Sequence, residues 1–289
     1  MTVEKVIIPA AGLGTRLLTA SKELPKEMLP LFALNNKGEL CIKPLFELIY
    51  NQCFLEGFKK YCFIVGKQKR AIEDHFTPDY PSLDRMKKSN DTLMIDDLEI
   101  FYDRISKSVI NWINQLGNFG FGHAILMGET FIGNDDFVVE AGDTLIVSEN
   151  ISPLNKIKNI QLEGKYDAAF LLKEVEDPRR YGVATIKQIN DEIVVTNVKE
   201  KPKKPESNYA IMPIYHFKPS IFKMLKEIKF GESELQITDA IDYASWLRSK
   251  ISAHRLSDLA SSLSYYDVVN VQDLARRLLL EHLGFWKLA

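Results

Sequence analysis

Through the first two thirds of the chain, apolar positions come in short β-branched runs separated by stretches with helical spacing. Val6-Ile7-Ile8, Phe63-Ile64-Val65, Val109 to Ile113 and Phe137-Val138-Val139 read as strands. Leu45 to Phe54 and Ala71 to Phe76 read as helices between them. That alternation predicts βαβ units and a mostly parallel mixed sheet flanked by helices, an α/β class. Residues 77–108 carry Pro78, Pro81 and many charges, and the expectation there is a surface excursion. Beyond about residue 166 the strands crowd together, at Ala168 to Leu172, Val183 to Ile186, Ile193 to Val198 and Ala210 to Phe217. Helical spacing resumes at Ser220 to Ile228, Gln236 to Arg248 and Val271 to Leu283. The sequence contains no internal repeat and no low-complexity tract. The expected organisation is one domain over 1–289, with parts at 1–150 and 151–262 and a C-terminal helical segment at 263–289.

Composition narrows the function classes. Apolar residues make up 46% and charged residues 26% of 289, which suits a folded chain with a sizeable core. A net charge of −2, from 37 basic and 39 acidic residues, argues against a surface that coats nucleic acid. Anionic substrates would need local cations. Cys41, Cys53 and Cys62 are odd in number and have no CxxC spacing, so reduced core thiols are expected rather than bridges or metal ligands. No apolar run approaches the ~18 residues of a membrane helix. The first residues lead straight into a buried-type strand, so no signal peptide is expected. The expected location is cytoplasmic.

The first strand runs into Ala10-Ala11-Gly12-Leu13-Gly14-Thr15-Arg16. Small residues after a strand let backbone N–H groups approach anionic oxygens, so the loop reads as a phosphate site. A dinucleotide fingerprint is excluded, because Leu17 stands where its third glycine belongs. A P-loop is excluded by the missing Gly-Lys-Ser/Thr. Instead Arg16 follows the loop and Lys26 sits between Pro25 and Pro30. Two cations beside a glycine loop suit a triphosphate whose leaving group gains charge in the transition state.

Gly12-Leu13-Gly14-Thr15-Arg16 with Pro25-Lys26-Glu27-Met28-Leu29-Pro30 resembles the bacterial-type UTP–glucose-1-phosphate uridylyltransferases, within the sugar-phosphate nucleotidyltransferase family. The resemblance continues in order through Ala71-Ile72-Glu73-Asp74-His75-Phe76, Gly120-Phe121-Gly122-His123-Ala124 and Glu234-Leu235-Gln236-Ile237-Thr238-Asp239-Ala240-Ile241. It implies a Rossmann-like nucleotidyltransferase fold, with Ala10, Ala11, Gly12, Gly14 and Thr15 at the nucleotide and Arg16 and Lys26 acting on the triphosphate. Gln115 and Gly120 fall where the family reads the base. Uracil offers one N–H between two carbonyls, and a glutamine amide supplies both the acceptor and the donor.

Asp143 follows the strand Phe137 to Val139, at the end where α/β sheets bind ligands. With Asp267 it resembles the family's pair of aspartates for Mg²⁺. Val269 stands where relatives have glycine, Thr19 replaces a common proline, and Glu140-Ala141 replaces an apolar residue and proline. On the sugar side the resemblance assigns Gly182, Glu200 and Lys201. A carboxylate can accept from two vicinal hydroxyls, and a lysine suits a sugar phosphate.

The implied reaction joins UTP and glucose 1-phosphate into UDP-glucose and pyrophosphate, with no nucleic-acid or membrane partner and a homodimer or homotetramer as the assembly. The alternatives are dTTP or another sugar 1-phosphate in the same pocket, and a non-catalytic nucleotide-sugar sensor.

Overall fold

Val6 to Ala10 are buried on both faces, as a near-continuous apolar run must be when helices cover a parallel sheet. The computed structural model describes residues 3–15, 21–88, 92–148, 152–162, 166–189, 192–228, 234–246, 251–255 and 266–270. Arg16, Leu17, Thr19 and the expected helix at Val271 to Leu283 lie outside the described residues.

Strand β1 (Lys5–Ala10) lies between β4 (Lys60–Gly66) and β6 (Phe137–Glu140), parallel to both, and β5 (Val109–Gln115) extends the parallel set beyond β4. The sheet continues through β11 (Tyr209–Phe217), β8 (Ala168–Glu174), β12 (Ile251–Arg255), β10 (Glu192–Glu200) and β9 (Gly182–Ile189). β11 runs antiparallel to both β6 and β8, whereas β12 runs parallel to β8. Two ribbons stand apart from this nine-stranded sheet: β2 (Pro30–Leu34) with β3 (Leu40–Pro44), and β7 (Thr144–Ser148) with β13 (Tyr266–Asn270).

The helices among the described residues are α1 (Leu45–Leu55), α2 (Arg70–His75), α3 (Tyr80–Lys87), α4 (Thr92–Ser106), α5 (Phe121–Met127), α6 (Glu129–Ile132), α7 (Pro153–Leu162), α8 (Ser220–Glu227) and α9 (Ile237–Trp246). They help build two apolar cores, one on each side of the sheet. On one side Phe46 and Tyr50 of α1 meet Phe63 and Phe76 edge to face, with centroids 4.9 Å apart for Phe46–Phe63 and 5.1 Å for Tyr50–Phe76.

The segment 77–108 corrects an expectation. It is no surface excursion but the helices α3 and α4, which bury Leu83, Ile95, Phe101 and Tyr102. Among the described residues its charges, Asp97 excepted, are at least partly exposed, and the apolar residues recur near the helical period. The β2–β3 ribbon and the five-residue strand β12 were not expected; each is short, and β12 carries three polar residues in Ile251-Ser252-Ala253-His254-Arg255.

Candidate active site

Register places Ala10, Gln115, Asp143, Gly182 and Glu200 toward one end of the strands of the nine-stranded sheet. Ala10, Gly66 and Gln115 end β1, β4 and β5, with Gly66 opposite Gln115, and Asp143 follows the end of β6. β11 passes the end of β6 at Ile214, which pairs with Glu140, and Pro213 O accepts a bond from Ala141 N at 3.0 Å. Ala210, earlier in β11, pairs with Val183, which brings Gly182 and its partner Glu200 toward the same end. Carboxyl ends of parallel strands are where such sheets bind ligands.

After β1 the loop turns through Gly12 and Gly14. A Cβ on Gly12 would lie 3.3 Å from Lys26 Nζ, and Gly14 has φ +66°. Lys26 opens a single 3₁₀ turn between Pro25 and Pro30, closed by Met28 N donating to Pro25 O at 2.8 Å. Its ammonium is ion-paired and hydrogen-bonded to Asp143 Oδ2. Loss of bulk water pushes the Asp143 carboxyl up. The Lys26 charge and hydrogen bonds from Lys26 and Thr144 outweigh this and hold it below the ordinary carboxylate range.

Beside this pair lies another that sequence reasoning missed. Lys69 Nζ donates to Glu27 Oε2 at 2.6 Å, both groups buried. Burial raises the Glu27 pKa against the attraction of Lys69 and Lys26. Glu27 Oε1 has no hydrogen-bond partner among the described residues, leaving a buried acceptor for water or ligand. Adjacency to Lys26 was the available signal for Glu27; Lys69 is brought in only by the turn after β4.

Gln115 is 5% exposed, and its Nε2 sits 3.3 Å from Gly120 O and 2.9 Å from His123 Nδ1. Burial lowers the His123 pKa, which favours a neutral ring. Gly120 has φ +95°, and a Cβ there would stand 2.4 Å from Leu235 O. Leu235 N donates to Phe119 O and Gly122 N to Leu235 O, each at 2.8 Å. Two motifs far apart in the sequence, those beginning at Gly120 and Glu234, are thereby zipped together through their backbones. Three residues on, Thr238 Oγ1 donates to Glu200 Oε2 at 3.2 Å, so the segment 235–238 touches both halves of the site.

Glu200 also holds Lys201 Nζ at 2.9 Å through Oε1. Lys201 has φ +40°, outside the right-handed helical region that Pro202 disfavours for its predecessor, and its N donates to Tyr181 O at 3.0 Å. A Cβ on Gly182 would meet Thr238 Cγ2 at 2.7 Å and Glu200 Oε2 at 3.3 Å, so a larger residue there would have to displace Thr238 beside this carboxylate. Asp267 lies in β13 opposite Val147, while Asn270 faces Thr144, the residue after Asp143.

Residues 5–258 match the family model described as nucleotidyl transferase. A UTP–glucose-1-phosphate uridylyltransferase of Mycoplasma pneumoniae is 34% identical over 253 residues, 83% of this chain and 81% of that protein. Another from Mycoplasma genitalium is 32% identical over 99% of this chain and 98% of its own. Among solved structures, a UDP-glucose pyrophosphorylase complexed with UDP-glucose aligns over 98% of each chain, with a TM-score of 0.78 and 27% identity.

Proposed function

Because the chain belongs to the nucleotidyl transferase family, we propose that it transfers the uridylyl group of UTP to glucose 1-phosphate, giving UDP-glucose and pyrophosphate. The observation that carries this reading is the Lys26–Asp143 pair at the carboxyl end of the parallel strands, with Gln115 and Glu200 toward the same end.

A phosphate oxygen of glucose 1-phosphate attacks the α-phosphorus of UTP in line; one P–O bond forms as the bond to the β-phosphate breaks. The attacking phosphate is already a nucleophile near neutral pH, so no general base is required. Catalysis is then positioning plus charge stabilisation. The backbone from Ala10 to Thr15 cradles the phosphates, and Lys26 and Arg16 offset charge on the departing pyrophosphate. Gln115 and Gly120 read the uracil edge. Gly182 and Glu200 hold the hexose, and Lys201 aims its phosphate.

Asp143 fits a magnesium site: its carboxyl is held ionised, and one or two carboxylates suffice when phosphates supply the remaining oxygens. Asp143, with Asp267, would hold the ion, which supplies charge neutralisation at the phosphates. Three buried, unpaired thiols, Cys41, Cys53 and Cys62, support a reducing compartment, the cytoplasm. The proposal includes assembly as a homodimer or homotetramer.

Pyrophosphate release from glucose 1-phosphate with each of five nucleoside triphosphates, with and without EDTA, tests the reaction. Release with UTP that EDTA abolishes is expected. Some activity with dTTP fits the same site, since one added methyl is discriminated by only about 1–3 kcal/mol. Silence with every nucleotide and a panel of sugar phosphates would overturn the assignment.

A further inference from the structure

The β2–β3 ribbon turns its polar pattern inside out. Leu31, Cys41 and Lys43 point inward and are buried, whereas Phe32, Leu34, Leu40 and Ile42 are 77%, 65%, 72% and 57% exposed. Phe32 pairs with Ile42 and Leu34 with Leu40, so the four side chains form one uncharged square on the outer face. Single exposed apolar residues are ordinary; four in cross-strand register on one face are a patch.

The ribbon cannot fold over to hide this face. At its base Leu45 N donates to Leu29 O at 3.1 Å, and at its tip Asn36 N donates to Asp97 Oδ1 at 3.2 Å. Lys37 pairs with Asp96 at 2.7 Å, and buried Lys43 is ion-paired with Asp97. The inner face is therefore locked against α4, and the outer one stays presented.

We propose that this face is the contact between two copies of the chain, stacked ribbon on ribbon about a two-fold axis. The proposal rests on the assembly included in the preceding reading and locates it. With full accessible areas of about 150–200 Å² per side chain, the square exposes roughly 500 Å². Two such faces together remove roughly 1,000 Å², about the minimum for a specific interface. A second copy also meets the other requirement: an uncharged square packs on itself without burying or opposing charge, and a two-fold contact uses the same patch twice.

Sedimentation equilibrium on the full chain tests the assignment. The wild type is expected to be a dimer or an even multiple of one. Phe32→Asp combined with Ile42→Asp is expected to weaken association on the order of 100-fold or more, with unchanged circular dichroism and melting temperature. The matching Lys pair, Phe32→Lys with Ile42→Lys, is expected to do the same alone and to restore dimers when mixed with the Asp form, a rescue that misfolded chains do not give. A wild type that stays monomeric overturns both the assembly and the surface. Wild-type-strength association in both charged forms overturns the surface and leaves the assembly to another face.

Discussion

At Gly120 the chain has no room for even a methyl group. The residue sits at φ +95° with Leu235 O 2.4 Å from where a Cβ would be. Gly120→Ala must move one of two backbones that hydrogen bonds hold together. Strain alone costs about 1–3 kcal/mol, and the collision adds to it. A clearly lower melting temperature and weaker UTP binding are expected; an unchanged melting temperature would sink the close-approach argument. Lys26→Met removes the cation from the Asp143 pair. Turnover at saturating substrates is expected to fall about 10²–10³-fold, by analogy with loss of an oxyanion donor, and near-normal turnover would remove Lys26 from the chemistry. At this scale the motifs made Lys26, Gln115, Asp143, Gly182 and Glu200 legible, because each lies in a short signature or at a strand end. The Lys69–Glu27 pair was not legible, since its members are 42 positions apart and meet only through the fold.

Among elements, β6 has an unusual ending. Glu140 is fully buried, accepts a hydrogen bond from Cys53 Sγ at 2.9 Å, and leaves its other oxygen without a partner among the described residues. Burial pushes its carboxyl up to about 8, with the Cys53 bond acting the other way. Between the ordinary value of 4.5 and about 8 the folded chain keeps a proton that the unfolded chain has released. Its contribution is therefore fully present below the lower value and is lost as pH rises to the upper one, by at most about 1.4 kcal/mol per pH unit. The melting temperature should fall between pH 5 and 8 more steeply in the wild type than in Glu140→Gln; parallel curves would show that Glu140 is not protonated there. Elements with a long apolar period, such as α1 and the strands β1, β4 and β11, were readable in advance. α3 and α4 were not, because Pro78, Pro81 and the many charges of 77–108 masked the buried period of Leu83, Ile95 and Phe101.

For the molecule as a whole, the alternating strands and helices of the first half announced a parallel sheet, and the sheet is there. What the sequence does not announce is how the second half closes. β12 arrives late in the chain and inserts between β8 and β10, deep in the sheet. Five residues with three polar side chains carry too little period to mark a central strand. Ending the chain at Trp246 would leave the facing edges of β8 and β10 without this partner. Such a truncated form is expected to be insoluble or to unfold in urea without a single cooperative transition; a sharp transition with the full-length m-value would refute this.

The segment from Leu235 to Thr238 has a consequence of its own. Its backbone is bonded to Phe119 and Gly122 on one side, and its threonine to Glu200 on the other. Under the proposed reading, the base and the hexose share this wall. A shift of the wall that improves the fit of one substrate must change the fit of the other, and linkage makes the effect reciprocal. Coupled binding is the expected outcome: the affinity for glucose 1-phosphate measured with a non-hydrolysable UTP analogue present should differ from that measured without it, and by the same factor as the converse pair.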